Sequence, residues 1–187
     1  MLNVLEEANR CLQCKVPLCR KGCPINNPIP EFIKLLREGH IQEAGNLVFT
    51  NNPLSLVCSL VCPHPEYCEG HCTLGRKQTP VRIGQIEHYI GQFVLDSLDL
   101  YSTEEYEGNI AVIGGGPAGI ALAFFMQRVG YQVTIFDSQN RIGGIMRYGI
   151  PEFRLPNSIL ARLENKLREL GVIIHPNTLI GPVISVE

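Results

Sequence analysis

Cysteine constrains this chain more than any other residue type. All eight cysteines fall between Cys11 and Cys72, and none follows. The stretch CLQCKVPLCRKGCP holds Cys11, Cys14, Cys19 and Cys23 at spacing C-x2-C-x4-C-x3-C, with Pro24 directly after. Cys58, Cys62, Cys68 and Cys72 follow C-x3-C-x5-C-x3-C, with Pro63 after Cys62. Thiols at this density cross-link, bind metal or do redox chemistry, so disulfides, zinc and iron–sulfur clusters are the competing fates.

Composition weighs on that choice. With 187 residues, 45% apolar, the chain has material for one large or two small packed domains. A net charge of −2 points neither to nucleic acid nor to an anionic membrane surface. The apolar run Ile120 to Met126 is far shorter than the roughly 20 residues that cross a bilayer. MLNVLEEANR does not read as a secretory signal, since it lacks a basic region leading into an apolar one. The expectation is a cytoplasmic protein with reduced thiols, which disfavours disulfides.

Between metals, the spacing favours iron–sulfur. Short C-x2-C pairs are zinc-like, but structural zinc sites usually join two well-separated halves. Here three or four thiols crowd one short loop and proline twice follows a cysteine, a pattern similar to that of bacterial two-cluster ferredoxins. A tight loop supplies three ligands to one face of a cubane, the fourth arrives from elsewhere, and the next cysteine on the loop faces away. Two such loops knit two clusters, which are expected to form the interior of a segment without Trp and with few Phe.

The cysteine-rich half reads as helical. PEFIKLLREGH predicts a helix starting at Pro30, with Phe32, Ile33, Leu35 and Leu36 as its apolar face and Gly39 as its stop. IQEAGNLVFTNN predicts a second, shorter helix, Leu54 to Val61 a third, and Ile83 to Leu98 a fourth with Ile83, Ile86, Ile90, Phe93, Val94 and Leu98 inward. Glu87 falls inside that last stripe. A buried carboxylate is costly unless paired or metal-bound, so Glu87 either meets Arg76 or Arg82, stays wet on a rotated helix, or binds metal. The five histidines are scattered and read as surface or packing residues, with His64 and His71 lying among the cysteines.

From the polar seam LDLYSTEEYEGN the character changes, giving a helical metal domain over 1–104 and a second domain over 105–187. NIAVIGGG predicts a buried parallel strand and turn, PAGIALAFFMQRVG a helix closed by Gly130, and YQVTIFD a second strand. NSILARLENKLRELG predicts a helix burying Ile159, Leu160, Leu163, Leu167 and Leu170, and VIIHPNTLI a third strand. Strand–helix–strand order implies a parallel sheet wound by helices.

Between the first strand and helix, Gly114-x-Gly116-x-x-Gly119 marks a dinucleotide site. The first glycine makes the turn, the second admits a pyrophosphate and the third lets helix and strand pack closely. Asp137 stands about 20 residues on, where an acid binds ribose hydroxyls. The pair Gly143–Gly144 soon after suits a cofactor running past that loop, as FAD does.

Taken in order, CLQC…CRKGCP, NNPLSLVCSLVCP, CEGHC, VRIGQIE, IGGGPAG and IGGIMRYGIPEFRLP resemble the small chain of NADPH-dependent glutamate synthase and the N-terminal part of dihydropyrimidine dehydrogenase. The resemblance implies an α + α/β architecture, in which an α-helical ferredoxin-like domain with two [4Fe-4S] clusters precedes the first part of a Rossmann-like FAD-binding domain. One cluster would take Cys11, Cys14, Cys19 and Cys72; the other Cys23, Cys62, Cys68 and Glu87, with Cys58 the replacement if Glu87 is no ligand. Gly114, Gly115, Gly116, Pro117, Ala118 and Gly119 would carry the FAD pyrophosphate, and Asp137 the ribose with a shorter reach than the family's usual Glu. Gly143, Gly144, Ile145, Arg154, Ile180 and Val61 would line the cofactor. Asn157 stands where the family often has Lys. The family continues to a second dinucleotide motif that binds NADPH. The expectation is thus an NAD(P)H-dependent FAD and iron–sulfur oxidoreductase, of which this chain is a part, inactive alone towards NADPH. Its expected partner is a large catalytic subunit or another electron acceptor.

Overall fold

The computed structural model describes residues 3–98 and 108–181. The chain divides into two compact units, Met1–Leu98 and Asp99–Glu187. The boundary expected between residues 104 and 105 lies outside the described residues.

The first unit is helical. Helix α1 (Val4–Asn9) starts at Asn3, whose side chain accepts from the Leu5 N–H at 3.1 Å. The short α2 (Leu18–Lys21) follows Pro17. Helix α3 (Ile29–Arg37) carries Pro30 in its first turn and ends at Gly39, whose φ of +84° reverses the chain. Helix α4 spans Ile41–Asn51, α5 Ser55–Val61 and α6 Ile83–Val94. Contrary to the expectation from sequence, α4 is longer than α3, because α3 already ends at Arg37, ahead of Gly39. The last helix gives way to a 3₁₀ turn at Leu95, and Phe93 points outward at 64% exposure.

Helix α6 is the centre, packing on α1, α3, α4 and α5. Small residues set two of its crossings. A Cβ on Gly45 would stand 2.3 Å from Val94 Cγ1, and one on Gly91 3.1 Å from Leu56 Cδ1. Around these crossings Phe32, Phe49, Leu56, Ile86, Ile90 and Leu95 are completely or almost completely buried. Each such side chain contributes about 1.5–3 kcal/mol of transfer free energy. The unit therefore has an apolar interior of its own. Apolar side chains, and not thiols alone, thus form this interior.

In the second unit, β1 (Asn109–Ile113), β2 (Gln132–Phe136) and β3 (Ile173–His175) form a parallel sheet in the order β1-β2-β3. Helix α7 (Pro117–Val129) joins β1 to β2; the short α8 (Ile145–Tyr148) and α9 (Asn157–Glu169) lie between β2 and β3. Val112 pairs with Ile135, and Ile135 with Ile174, so all three share one face with Val133, and all four are buried. The other face carries Ile113 at 62% and Ile173 at 46% exposure. Among the described residues the sheet is covered on one face. Two right-handed crossovers that advance in the same direction place both helices on the same side. The third strand is also shorter than expected, ending at His175 before Pro176. Among the described residues no helix is long and apolar enough to cross a membrane.

The α4–α6 crossing generates a test. Alanine at an interior helical glycine normally gains about 1 kcal/mol. At Gly45 its Cβ meets the branched Val94, an overpacking that costs about 1–3 kcal/mol. We expect Gly45→Ala to lower unfolding stability in urea titration, and to do so less in a Val94→Ala background. A stabilised Gly45→Ala would show that this contact does not set the crossing.

Candidate metal and dinucleotide sites

Cys11 follows α1 directly, its N–H bonded to Ala8 O at 3.1 Å. Gln13 then takes a left-handed backbone (φ +50°), turning the chain so that Cys14 follows. Pro17 and α2 bring up Cys19, and Cys72 arrives from the other end of the unit. These four thiols line one hollow, whose remaining wall includes Leu18, Ile29, Ile33 and Ile83. Gln13 Nε2 donates to Pro30 O at 3.0 Å and lies 3.4 Å from Cys11 Sγ. Cys14 Sγ lies 3.7 Å from Thr73 Oγ1. Burial above all, with the thiols of Cys72, Cys11 and Cys14 adding to it, pushes Cys19 up to about 11, and burial raises Cys11 as well.

A second group gathers around α6. Glu87 is 5% exposed, and its Oε1 accepts from Asn27 Nδ2 at 3.0 Å. Ser55, completely buried, leans on the same carboxyl without an aligned hydrogen bond. The ion pair with Arg76 or Arg82 does not form: among the described residues no cation pairs with Glu87, and the Arg82 N–H donates to Glu7. Burial, then the Cys58 thiol, pushes the Glu87 carboxyl up to about 8. Cys68 is pushed up to about 12 by burial, then by Glu69 and Glu87, with Cys23 nearby. Cys62 is raised by its hydrogen bond with Cys58 one helical turn earlier, and that bond lowers Cys58 to about 6. Asn27 was not singled out from sequence. Its signal was an amide directly before Pro28.

Among the described residues no three His, Cys, Asp or Glu side chains are grouped closely enough to hold a single metal ion. The first four thiols instead ring a void. That is the arrangement a polynuclear cluster needs, since its own inorganic sulfur separates the ligands, and it suits a cubane better than one tetrahedral zinc. A cationic core also reverses the effect of burial on the thiols, which bind as thiolates.

In the second unit each glycine of the motif has a distinct role. Gly114 adopts φ +98°, closed to most other residues. A Cβ on Gly119 would strike Gly114 O at 2.0 Å, so only glycine lets α7 sit on β1. In front of Gly116, at the N-terminus of α7, the nearest atom to a built Cβ is Gly144 Cα at 4.0 Å. A phosphate fits that open cradle, facing the positive end of a helix dipole. The second glycine pair packs against the first loop: Gly143 N–H donates to Gly115 O at 2.7 Å, and a Cβ on Gly144 would lie 2.8 Å from Gly116 Cα.

Asp137 is brought to this loop but is turned inward. Its Oδ2 accepts from Gly115 N–H at 2.6 Å and its Oδ1 from Gln139 N–H at 2.8 Å, and the residue is 6% exposed. Pro117 and Ala118 open α7. Ile145 begins α8 at 67% exposure. Arg154 stands on an exposed turn closed by its N–H to Pro151 O. Ile180 lies beyond β3 and is half-buried. Val61 ends α5, next to Cys62.

Arg147, also not singled out from sequence, braces the second glycine pair from below. Its Nε donates to Ile142 O at 2.8 Å, its Nη1 reaches Asn157 Oδ1 at 3.4 Å, and Nη2 lies 3.9 Å from Glu164. Glu164 in turn accepts from Arg141 and Arg168. Asn157 thus has a local reason: its oxygen receives a guanidinium that a lysine would repel.

Comparison with known proteins agrees with this geometry. Residues 2–97 match the family model described as dihydropyrimidine dehydrogenase domain II, 4Fe-4S cluster, and residues 112–161 match an NAD(P)-binding Rossmann-like domain. The glutamate synthase [NADPH] small chain of Azospirillum brasilense is 38% identical over 180 residues, covering 94% of this chain and 37% of that protein. Its counterpart in Escherichia coli K12 is 36% identical over 184 residues, covering 97% and 39%. The NAD-dependent dihydropyrimidine dehydrogenase subunit PreT of Escherichia coli O157:H7 is 32% identical over 188 residues, covering 100% and 46%. The chain thus spans less than half the length of these relatives.

The Asp137 contacts predict a stability effect. In Asp137→Asn a carboxylate oxygen becomes an amide that can face the Gly115 or Gln139 N–H donor to donor, or keep one acceptor and lose the other. The expected loss is about 1–3 kcal/mol, read by denaturant titration of the second unit. An unchanged midpoint would show that these two bonds do not hold the glycine loop.

Proposed function

We propose, from the premise that the chain belongs to the dihydropyrimidine dehydrogenase domain II 4Fe-4S family, that it is the electron-input region of an NAD(P)H-dependent oxidoreductase of glutamate synthase small-chain type. In this reading the chain holds two [4Fe-4S] clusters and one FAD, and serves a large catalytic subunit or another acceptor protein. NADPH belongs to the full-length protein. What supports the reading most is the ring of Cys11, Cys14, Cys19 and Cys72 around one apolar hollow, drawn from both ends of the helical unit.

Cys11, Cys14, Cys19 and Cys72 would hold one cluster, and Cys23, Cys62, Cys68 and Glu87 the other. The absence of a cation beside Glu87 among the described residues, together with its neighbours Cys58, Cys62 and Cys68, supports it as the eighth ligand. Gly114, Gly115, Gly116, Pro117, Ala118 and Gly119 would bind the FAD pyrophosphate. Asp137, through Gly115, keeps the amides of that loop in place and presents its remaining lone pairs to the ribose. Gly143, Gly144, Ile145, Arg154, Ile180 and Val61 would line the rest of the cofactor. When bound, the clusters accept and release single electrons and the flavin exchanges electrons with a nicotinamide. The protein's part is to hold these groups, exclude water from the thiols and set their electrostatic surroundings.

One observation favours a second reading, an electron-transfer or docking module that binds no flavin. The Asp137 carboxylate is already engaged by two backbone amides. Flavin absorbance in the purified protein decides between the two.

The direct test is anaerobic purification with iron and sulfide analysis. The expected result is brown protein with iron and acid-labile sulfide equivalent to two clusters per chain. Cys14→Ser should lose the equivalent of one. Glu87→Cys should keep both and shift the midpoint potential of one, because a thiolate replaces a carboxylate. Colourless folded protein containing zinc would end this reading; unaltered potentials in Glu87→Cys would end the ligand role of Glu87.

A further inference from the structure

We propose that Gln13 is a positioning residue for the first of the two clusters: its side-chain amide donates to the Cys11 sulfur and raises that cluster's reduction potential. The proposal rests on reading Cys11, Cys14, Cys19 and Cys72 as a cluster site.

Three observations carry it. First, one nitrogen, Nε2, lies 3.0 Å from Pro30 O and 3.4 Å from Cys11 Sγ. Both neighbours are acceptors, so the amide orientation follows from its surroundings. An amide nitrogen has two hydrogens, and each has one acceptor here. The bond to Pro30, on α3, keeps the side chain from swinging away from the sulfur. Second, Gln13 holds φ at +50° although it is not glycine. Such a backbone costs on the order of 1–3 kcal/mol and persists where the surroundings over-determine it. Here it turns the chain between Cys11 and Cys14 and carries the amide back over the sulfur two residues earlier.

Third, the two sites differ electrostatically. Arg37 also approaches Cys11, with Nη1 3.5 Å from its carbonyl oxygen. At the other group the charged neighbours of Cys68 are Glu69 and Glu87; the Asn27 amide donates to the Glu87 carboxyl, and the Asn52 side chain approaches Cys58, which is not among the four proposed ligands. A donor hydrogen on a thiolate stabilises the form with the extra electron. Hydrogen bonds to sulfur are among the factors that set cluster potential. The first cluster therefore gains from Gln13 a stabilisation of its reduced form that the second does not receive.

The test is a potentiometric titration followed by electron paramagnetic resonance on the whole chain, its clusters reconstituted without oxygen. Gln13→Met keeps the side-chain length and removes the donor. Gln13→Gly removes the donor and relieves the backbone, so it controls for folding. The Glu87→Cys variant assigns the midpoints, since it acts on the second cluster. The expected result is a fall in the first midpoint in both Gln13 variants, equivalent to a several-fold shift in its redox equilibrium, where tenfold is about 59 mV. The second midpoint stays in place. An unmoved first midpoint in Gln13→Gly, or an equal fall of both midpoints, overturns the proposal. Iron and sulfide assays on the unaltered chain separate this failure from that of the underlying reading, which would leave no clusters to titrate.

Discussion

Burial working against charge is the constraint on which the helical unit turns. It is the largest influence raising Cys11, Cys19, Cys68 and Glu87, and it opposes the ionised form of each. A protein interior does not keep several thiolates and a carboxylate close together without positive charge among them. Ligand-free, the donors resolve the conflict by keeping or sharing protons, as Cys58 and Cys62 do across one helical turn. A metal core supplies the missing charge, so the same arrangement that disfavours thiolates alone favours them as ligands. Beside these donors lies an apolar interior built on α6 with Phe32, Phe49 and Ile90.

The second unit is governed by backbone approach. Two glycine segments lie against each other, Gly143 bonding to Gly115 and Gly144 facing Gly116. The Asp137 carboxylate ties the end of β2 to the same loop. Three pieces of chain converge where a Cβ on Gly115, Gly143 or Gly144 would displace a neighbour, and the outcome is an open cradle at the start of α7. The brace beneath it, Arg147 with Glu164 and Asn157, explains how a loop this poor in side chains holds one shape.

Much of this was legible in the sequence, where residue type alone decides the conformation or chemistry. The cysteine spacing pointed to metal, the positive-φ glycines marked turns, and the 3.6-residue period of α6 placed Glu87 in its buried stripe; that Cys72 and not Cys23 lines the hollow with Cys11, Cys14 and Cys19 was not in the spacing. What was hidden depends on tertiary geometry. Periodicity cannot say that Asn27 will meet Glu87 sixty positions away, nor that the Asp137 oxygens turn to amides of the loop. Phe93 was misassigned because, near a helix end, a few degrees of rotation exchange one flank of the stripe for the other.

Each proposed donor group is split between the two ends of the helical unit, with α3, α4 and α5 threaded between. Cys11, Cys14 and Cys19 leave the ribosome early, yet Cys72 joins them only after those helices have been made and folded back. During synthesis the first site is therefore incomplete by construction. An inorganic core captured too soon would be held by three thiols and open to solvent on its fourth side. With the proposed ligands, the donor ring closes only once residue 72 has been made.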